Sequence, residues 1–152
     1  MSIFMKRFTT AGLFITMLFF TAFQTASAQS DKAVNMFKKH VNNVVQQVEN
    51  VENPQEKREL LNTSFDKLLG SFDRVENMRV LSQADQSSLN QLRANITEKK
   101  NELNGLNGYK RVQNNQLNNF ANFVQQDLEQ ADSTITISVT VLLLIIIILL
   151  LL

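Results

Sequence analysis

Ile135 to Leu152 reads ITISVTVLLLIIIILLLL, 18 residues without a charge. How this run is read decides the fold, because it can be a membrane-crossing helix, an edge strand or a core helix. As a helix rising 1.5 Å per residue it spans about 27 Å, close to the roughly 30 Å hydrocarbon core of a bilayer. From Val141 onward all twelve residues are Val, Leu or Ile. At about −0.3 to −0.6 kcal/mol each near the bilayer centre, they favour insertion by roughly 4 to 7 kcal/mol. Thr134, Thr136, Ser138 and Thr140 do not undo this, since a helical hydroxyl bonds the carbonyl one turn back. The alternation in TITISVTV has the period of a strand, but lipid has no place for an open strand edge and no partner strand is legible elsewhere. A soluble core helix would need apolar cover on every face, more than a domain this small supplies. The sequence therefore predicts a single C-terminal transmembrane anchor over residues 134–152.

At the other end, residues 1–30 read MSIFMKRFTTAGLFITMLFFTAFQTASAQS. Lys6 and Arg7 precede an apolar stretch from Phe8 to Phe23, and Ala26-Ser27-Ala28 follows. Basic start, short apolar stretch and A-x-A site make the pattern of a cleaved secretory signal peptide over 1–28, with a mature chain starting at Gln29. There is no cysteine, so neither lipoprotein attachment nor a disulfide framework is available. A cysteine-free exported domain suits a bacterial periplasm better than the niche of small cystine-stapled folds. The expected location is the membrane, in a bacterium the inner one, with the exported part facing the periplasm. Nothing polar follows Leu152, so a cytoplasmic domain is not expected, and orientation rests on the leader rather than on flanking Lys or Arg. A glycolipid-anchor signal with its acceptor near Ala131-Asp132-Ser133 is an alternative fate of the tail, although the spacer Ile135 to Thr140 is shorter than the about 8 to 12 residues such signals carry. In a eukaryotic source, Asn62-Thr63-Ser64 and Asn95-Ile96-Thr97 would be glycosylation acceptors.

Residues 29–133, one domain's worth of chain, read as an all-α ectodomain: a small antiparallel helical bundle or coiled coil. Val34, Phe37, Val41, Val44, Val48 and Val51 step by threes and fours along one a/d seam, which predicts a helix over about 31–52. Asn53-Pro54-Gln55-Glu56 then supplies a cap, a proline at the first helical position and an acid in the first turn. The helix that follows, 54–80, carries Leu61, Phe65, Leu68, Phe72 and Val75, widened by Leu60 and Leu69. Ser82-Gln83-Ala84-Asp85 reads as the cap of a third over 83–104, with Leu89, Leu92, Ile96, Leu103 and Leu106 on its seam and Lys99 where an apolar residue is due, an exposed or snorkelling position. Asn104-Gly105 and Asn107-Gly108 tolerate positive φ and end it. The fourth segment, 109–133, places Val112, Leu117, Phe120, Val124 and Leu128 inward. No Gly or Pro separates it from the tail, so one continuous helix from Tyr109 to Leu152 is expected.

Chemistry-bearing patterns are scarce. Fifteen Lys and Arg, two of them in the leader, face 14 Asp and Glu. The mature chain is close to neutral and offers no basic field for nucleic acid. His40 is the single histidine and reads as a solvated polar-face residue; with no cysteine or second histidine, no zinc site can form. Glu49 with Glu52, and Glu56 with Glu59, lie one turn apart and read as solvated or helix-start acids rather than a general-acid pair. Ser64 and Ser71 have no histidine base in sequence range. Gly105-Leu106-Asn107-Gly108 lacks the Gly-Lys-Ser/Thr of a phosphate loop, and the phenylalanines 65, 72, 120 and 123 read as core. No catalytic, cofactor-binding or metal-binding residue is therefore expected, and no enzymatic activity. The expected function is structural or protein-interacting, in the cell envelope. Its partners would be the lipid bilayer at the C-terminal helix and an envelope protein, or a second copy, along the helical seams. The alternative is a small membrane-active or accessory subunit whose hydrophobic tails associate in the bilayer. The tail's small residues four apart, Thr134 with Ser138 and Thr136 with Thr140, sit only near its start.

Overall fold

The computed structural model describes residues 31–134 and 137–152, without the side chains of 131–134. The expected signal peptide over 1–28 lies outside the described residues. The regular elements among the described residues are all helices, with no strand: α1 (residues 31–50), α2 (Pro54–Asn77), α3 (Gln83–Asn104), a 3-10 turn (Asn114–Gln116), α4 (Leu117–Thr134) and α5 (Val139–Leu151).

The chain turns where local chemistry dictates. Asn53 accepts a hydrogen bond from the Gln55 N–H at 2.9 Å, so α2 starts at Pro54, whose missing N–H costs nothing at that position. α2 stops three residues short of Val80 because Arg79 adopts positive φ and closes the last turn onto Glu76 O. Ser82 caps α3 by accepting from Asp85 N at 3.1 Å. Gly105 ends α3 in the left-handed conformation, with Leu106 N–H reaching back to Asn101 O at 2.9 Å, a six-residue closure that only positive φ at Gly105 permits.

α2 is the central element, in contact with α3, α4 and α5. On α1, the seam residues Val41 and Val48 are buried, and so is Val45 beside the seam, while the seam residues Val34, Phe37 and Val44 are half-buried. Leu61, Phe65, Leu68, Phe72 and Val75 of α2 meet Leu89, Ile96 and Leu103 of α3 and Leu117, Phe120, Val124 and Leu128 of α4 in one apolar core. Ion pairs from Arg93 to Asp73 and Glu76, and from Lys100 to Asp66, cross between α2 and α3 on the outside. They set the antiparallel register of that hairpin more than its stability. Phe123 departs from the expected core stripe: it is exposed and lies 4.5 Å beneath the Lys99 ammonium. Lys99 snorkels as its seam position implies, reaching Asp127 at 3.7 Å and Glu102 at 3.8 Å.

The expected continuous helix from Tyr109 to Leu152 does not form. Residues 109–113 are irregular, and α4 starts only at Leu117. At the far end, Ile137 and Ser138 are non-helical, and Ser138 caps a separate helix, α5. α5 does not stand clear of the bundle. Val141, Ile145, Ile148 and Leu149 join the core of the other helices, while Leu142 and Ile146 pack on Ala33. The physical reason is area: a break in the helix at 137–138 lets one face of an aliphatic run leave water against α2. In place of the expected spanning helix over 134–152 stands a helix of 13 residues, about 20 Å long. No helix among the described residues is long and apolar enough to cross a membrane.

Candidate functional site

Two places gather unusual chemistry: the linker that Arg58 holds, and the base of α5. Arg58 projects from the first turns of α2 and is buried. Its guanidinium donates to Leu103 O at the end of α3, to Val112 O at 2.7 Å and to Asn114 Oδ1 at 3.1 Å. Three oxygens from one connection thus converge on a single planar donor, which fixes residues 103–114 against α2. Burial and the nearby Arg111 charge both hold its pKa below the usual arginine value. Sequence reading missed this residue. On α2 it takes the seam position three residues before Leu61, so a charged residue on the apolar stripe was its signal in the sequence, but its partners lie 45 to 56 positions away.

The base of α5 is organised by Asp85, in the first turn of α3. Its side chain is buried at 8% exposure. Ser82 Oγ donates to Oδ2 at 2.7 Å, and the backbone N–H of Ser138 donates to Oδ1 at 2.7 Å. In an ordinary capping box the acid at this position returns to the N–H of its own cap residue. Here one oxygen serves a residue 53 positions away. Ser138 in turn caps α5, its Oγ facing Val141 N at 3.5 Å and its carbonyl accepting from Leu142 N at 3.0 Å. One carboxylate therefore sits at the positive ends of two helices, α3 and α5. Burial acts to raise its pKa, but the hydrogen bonds from Ser82 and Ser138 outweigh it and hold the carboxyl below its ordinary value. Asp85 was legible as the acid of a cap; its second partner was not.

His40 is not the fully solvated residue its polar neighbours imply. It is half-buried and lines, with Val44, Leu61, Ser64 and Val124, a groove between α1, α2 and α4 of about 420 Å³, open solvent included. Burial first, and the Lys67 charge second, push its pKa down, favouring the neutral ring. Ser64 shares that groove, but its hydroxyl donates to Leu60 O at 2.8 Å, the intrahelical bond of a structural serine. Ser71 does the same to Leu68 O at 2.7 Å. Glu49 accepts from Asn122 at 2.9 Å, which joins α1 to α4 rather than building an acid pair. Among the described residues no three His, Cys, Asp or Glu side chains gather as a metal site.

The face that α5 turns outward is as apolar as the one it buries: Ile147, Leu150, Leu151 and Leu152 are all exposed. A helix on a water-facing bundle normally carries polar residues there. No protein family, no curated protein and no solved structure matches this chain.

Proposed function

We propose that this protein is an exported helical bundle held at a membrane by its C-terminal aliphatic segment. It acts there as a structural or protein-interaction element of the cell envelope and carries no catalytic activity. The observation that carries the reading is the outer face of α5. Docking covers Val141, Leu142, Ile145, Ile146, Ile148 and Leu149, yet Ile147, Leu150, Leu151 and Leu152 remain in water. Four adjacent aliphatic side chains at the end of one helix form the kind of patch that marks a membrane or partner surface. The twelve-residue run from Val141 to Leu152 has the composition that lipid prefers. A partner protein in the envelope would meet the polar outer faces of α1 to α4.

The test uses exposed positions near the middle of the run. Thr140 and Ile147 are both exposed, so lysines there should leave the helical circular dichroism unchanged. Each lies about four residues from the middle of the 135–152 run, where a lysine costs about 2.5 to 3.5 kcal/mol, so the two together offset the roughly 4 to 7 kcal/mol that the run gains. The wild-type protein is expected in the membrane fraction, resisting carbonate extraction, and the lysine variant in the soluble fraction. Wild-type protein that carbonate washes off overturns the tether.

A further inference from the structure

α5 presents a contradiction between its composition and its place. From Val141 onward it is aliphatic around its whole circumference, yet the bundle covers only one face. Its grip on the rest of the molecule is also of an exchangeable kind. From Val141 to Leu152 the side chains hold the bundle by apolar contact alone, which a hydrocarbon environment replaces without stranding a polar group. The polar tie is at the base, where Asp85 takes the Ser138 N–H at 2.7 Å.

That N–H has a second possible acceptor. In a helix running unbroken from α4, the Ser138 N–H would donate to Thr134 O, four residues back. Likewise the Val141 N–H, now facing Ser138 Oγ, would donate to Ile137 O. Asp85 and the backbone of α4 therefore compete for the same donor. While Asp85 holds it, the chain is broken at Ser138 and α5 has 13 residues, about 20 Å and too short for a bilayer. Once it is released, the 18 uncharged residues from Ile135 to Leu152 make a helix of about 27 Å.

We propose that α5 is a stowed membrane-insertion segment. The bundle keeps it folded back on α2 with Ser138 tied to Asp85, and a bilayer takes it when that tie is exchanged for a helix continuous with α4. This rests on the membrane-tether reading and adds to it the resting place of the tether and the contact that holds it there. The tether is soluble cargo of its own bundle until lipid is present. The face of α2 beneath α5 is then uncovered only at the membrane.

The chain has no cysteine of its own, so a crosslink can be placed without background. Ala33, Leu142 and Ile146 form one buried cluster joining α1 to α5. Ala33→Cys is paired with Leu142→Cys in one variant and with Ile146→Cys in another, in protein recovered from exporting cells. Oxidation in solution should close at least one pair; failure of both shows that α5 is not docked and overturns the proposal. The closed variant is then mixed with phosphatidylethanolamine–phosphatidylglycerol vesicles and floated. Oxidised protein should partition to vesicles about ten-fold less than the same protein after reduction. Equal, carbonate-resistant binding of the oxidised and reduced forms overturns the stowed segment while leaving the tether intact. Absence of binding by wild type, reduced and oxidised protein alike overturns the tether itself, and the stowed segment with it. Asp85→Asn keeps the shape but removes the charge that strengthens the tie, and should shift partition toward vesicles at fixed lipid. Partition equal to wild type removes Asp85 from the mechanism.

Discussion

An added side chain would meet opposite surroundings at Gly105 and at Gly70. Gly105 has φ +70, and a Cβ there would lie 2.7 Å from Arg111 Cβ and 2.9 Å from Arg111 N. Gly70 is inside α2, with nothing within 4 Å of the position a Cβ would take. Gly105→Ala should therefore destabilise by more than about 1 kcal/mol, and Gly70→Ala should stabilise by about 0.5 to 1 kcal/mol. Urea denaturation read by circular dichroism measures both, and effects of the same sign would contradict the turn at Gly105. The Gly105 turn was legible because positive φ is a demand a residue makes on its own backbone, as were the caps at Asn53 and Ser82. Arg58 was not, because its three acceptors come from residues 103, 112 and 114 and only the folded hairpin assembles them. Acid should act through His40 and Asp85 in turn. Both have folded-state pKa values below their ordinary ones of 6.5 and 3.8, so the unfolded chain binds more protons as pH falls. Stability is complete above each ordinary value and is lost as pH falls through the depressed one. His40→Gln should remove the first decline, below pH 6.5, and Asp85→Asn the second, below pH 3.8; a stability profile unchanged by either substitution would place both groups in ordinary solvent.

At the scale of helices, apolar periodicity located α1, α2 and α3 because each buries one stripe and solvates the rest, so burial is written into spacing. Val48, near the C-terminal end of the α1 seam, is fully buried, whereas Asn43 is exposed. Val48→Asp places an unpaired charge in the core and should cost several kcal/mol, about 3 or more, while Asn43→Asp should stay within about 0.5 kcal/mol. Equal denaturation midpoints for the two variants would mean that α1 does not pack through its valines. The division between α4 and α5 escaped the same method for a definite reason. A run of one residue class has no period, and Ser138 gave no stop that a helix would have to obey, since serine is tolerated inside helices as well as at their caps. What breaks the chain there is an acceptor from another helix, Asp85. The late start of α4 has the same origin: Val112 O is held by Arg58 and Val112 N–H donates to Glu102 O at 3.3 Å, so the segment after Gly108 is extended along α2 and α3 before it can coil.

For the molecule as a whole, the question is whether α5 is part of the cooperative unit in water or an appendage of it. The composition of the tail is equally suited to lipid and to a protein core, which is why spacing and hydropathy could not place it; the choice depends on whether α2 has a free apolar face, a property of the assembled bundle. Ile145 and Ile147 separate the two cases. They are chemically identical and two residues apart on one helix, but Ile145 is 1% exposed within the core and Ile147 is 51% exposed. In water, Ile145→Ala should cost about 2 to 5 kcal/mol by removing buried contacts and leaving a cavity, whereas Ile147→Ala should fall within about 0.5 kcal/mol. A tail that merely trails from the bundle would make both substitutions silent in urea denaturation. In vesicles the asymmetry should vanish, because a helix surrounded by hydrocarbon has no preferred face and each substitution removes the same aliphatic surface from the same solvent. The pair thus reports which surroundings α5 occupies from the difference between two midpoints, independently of any crosslink.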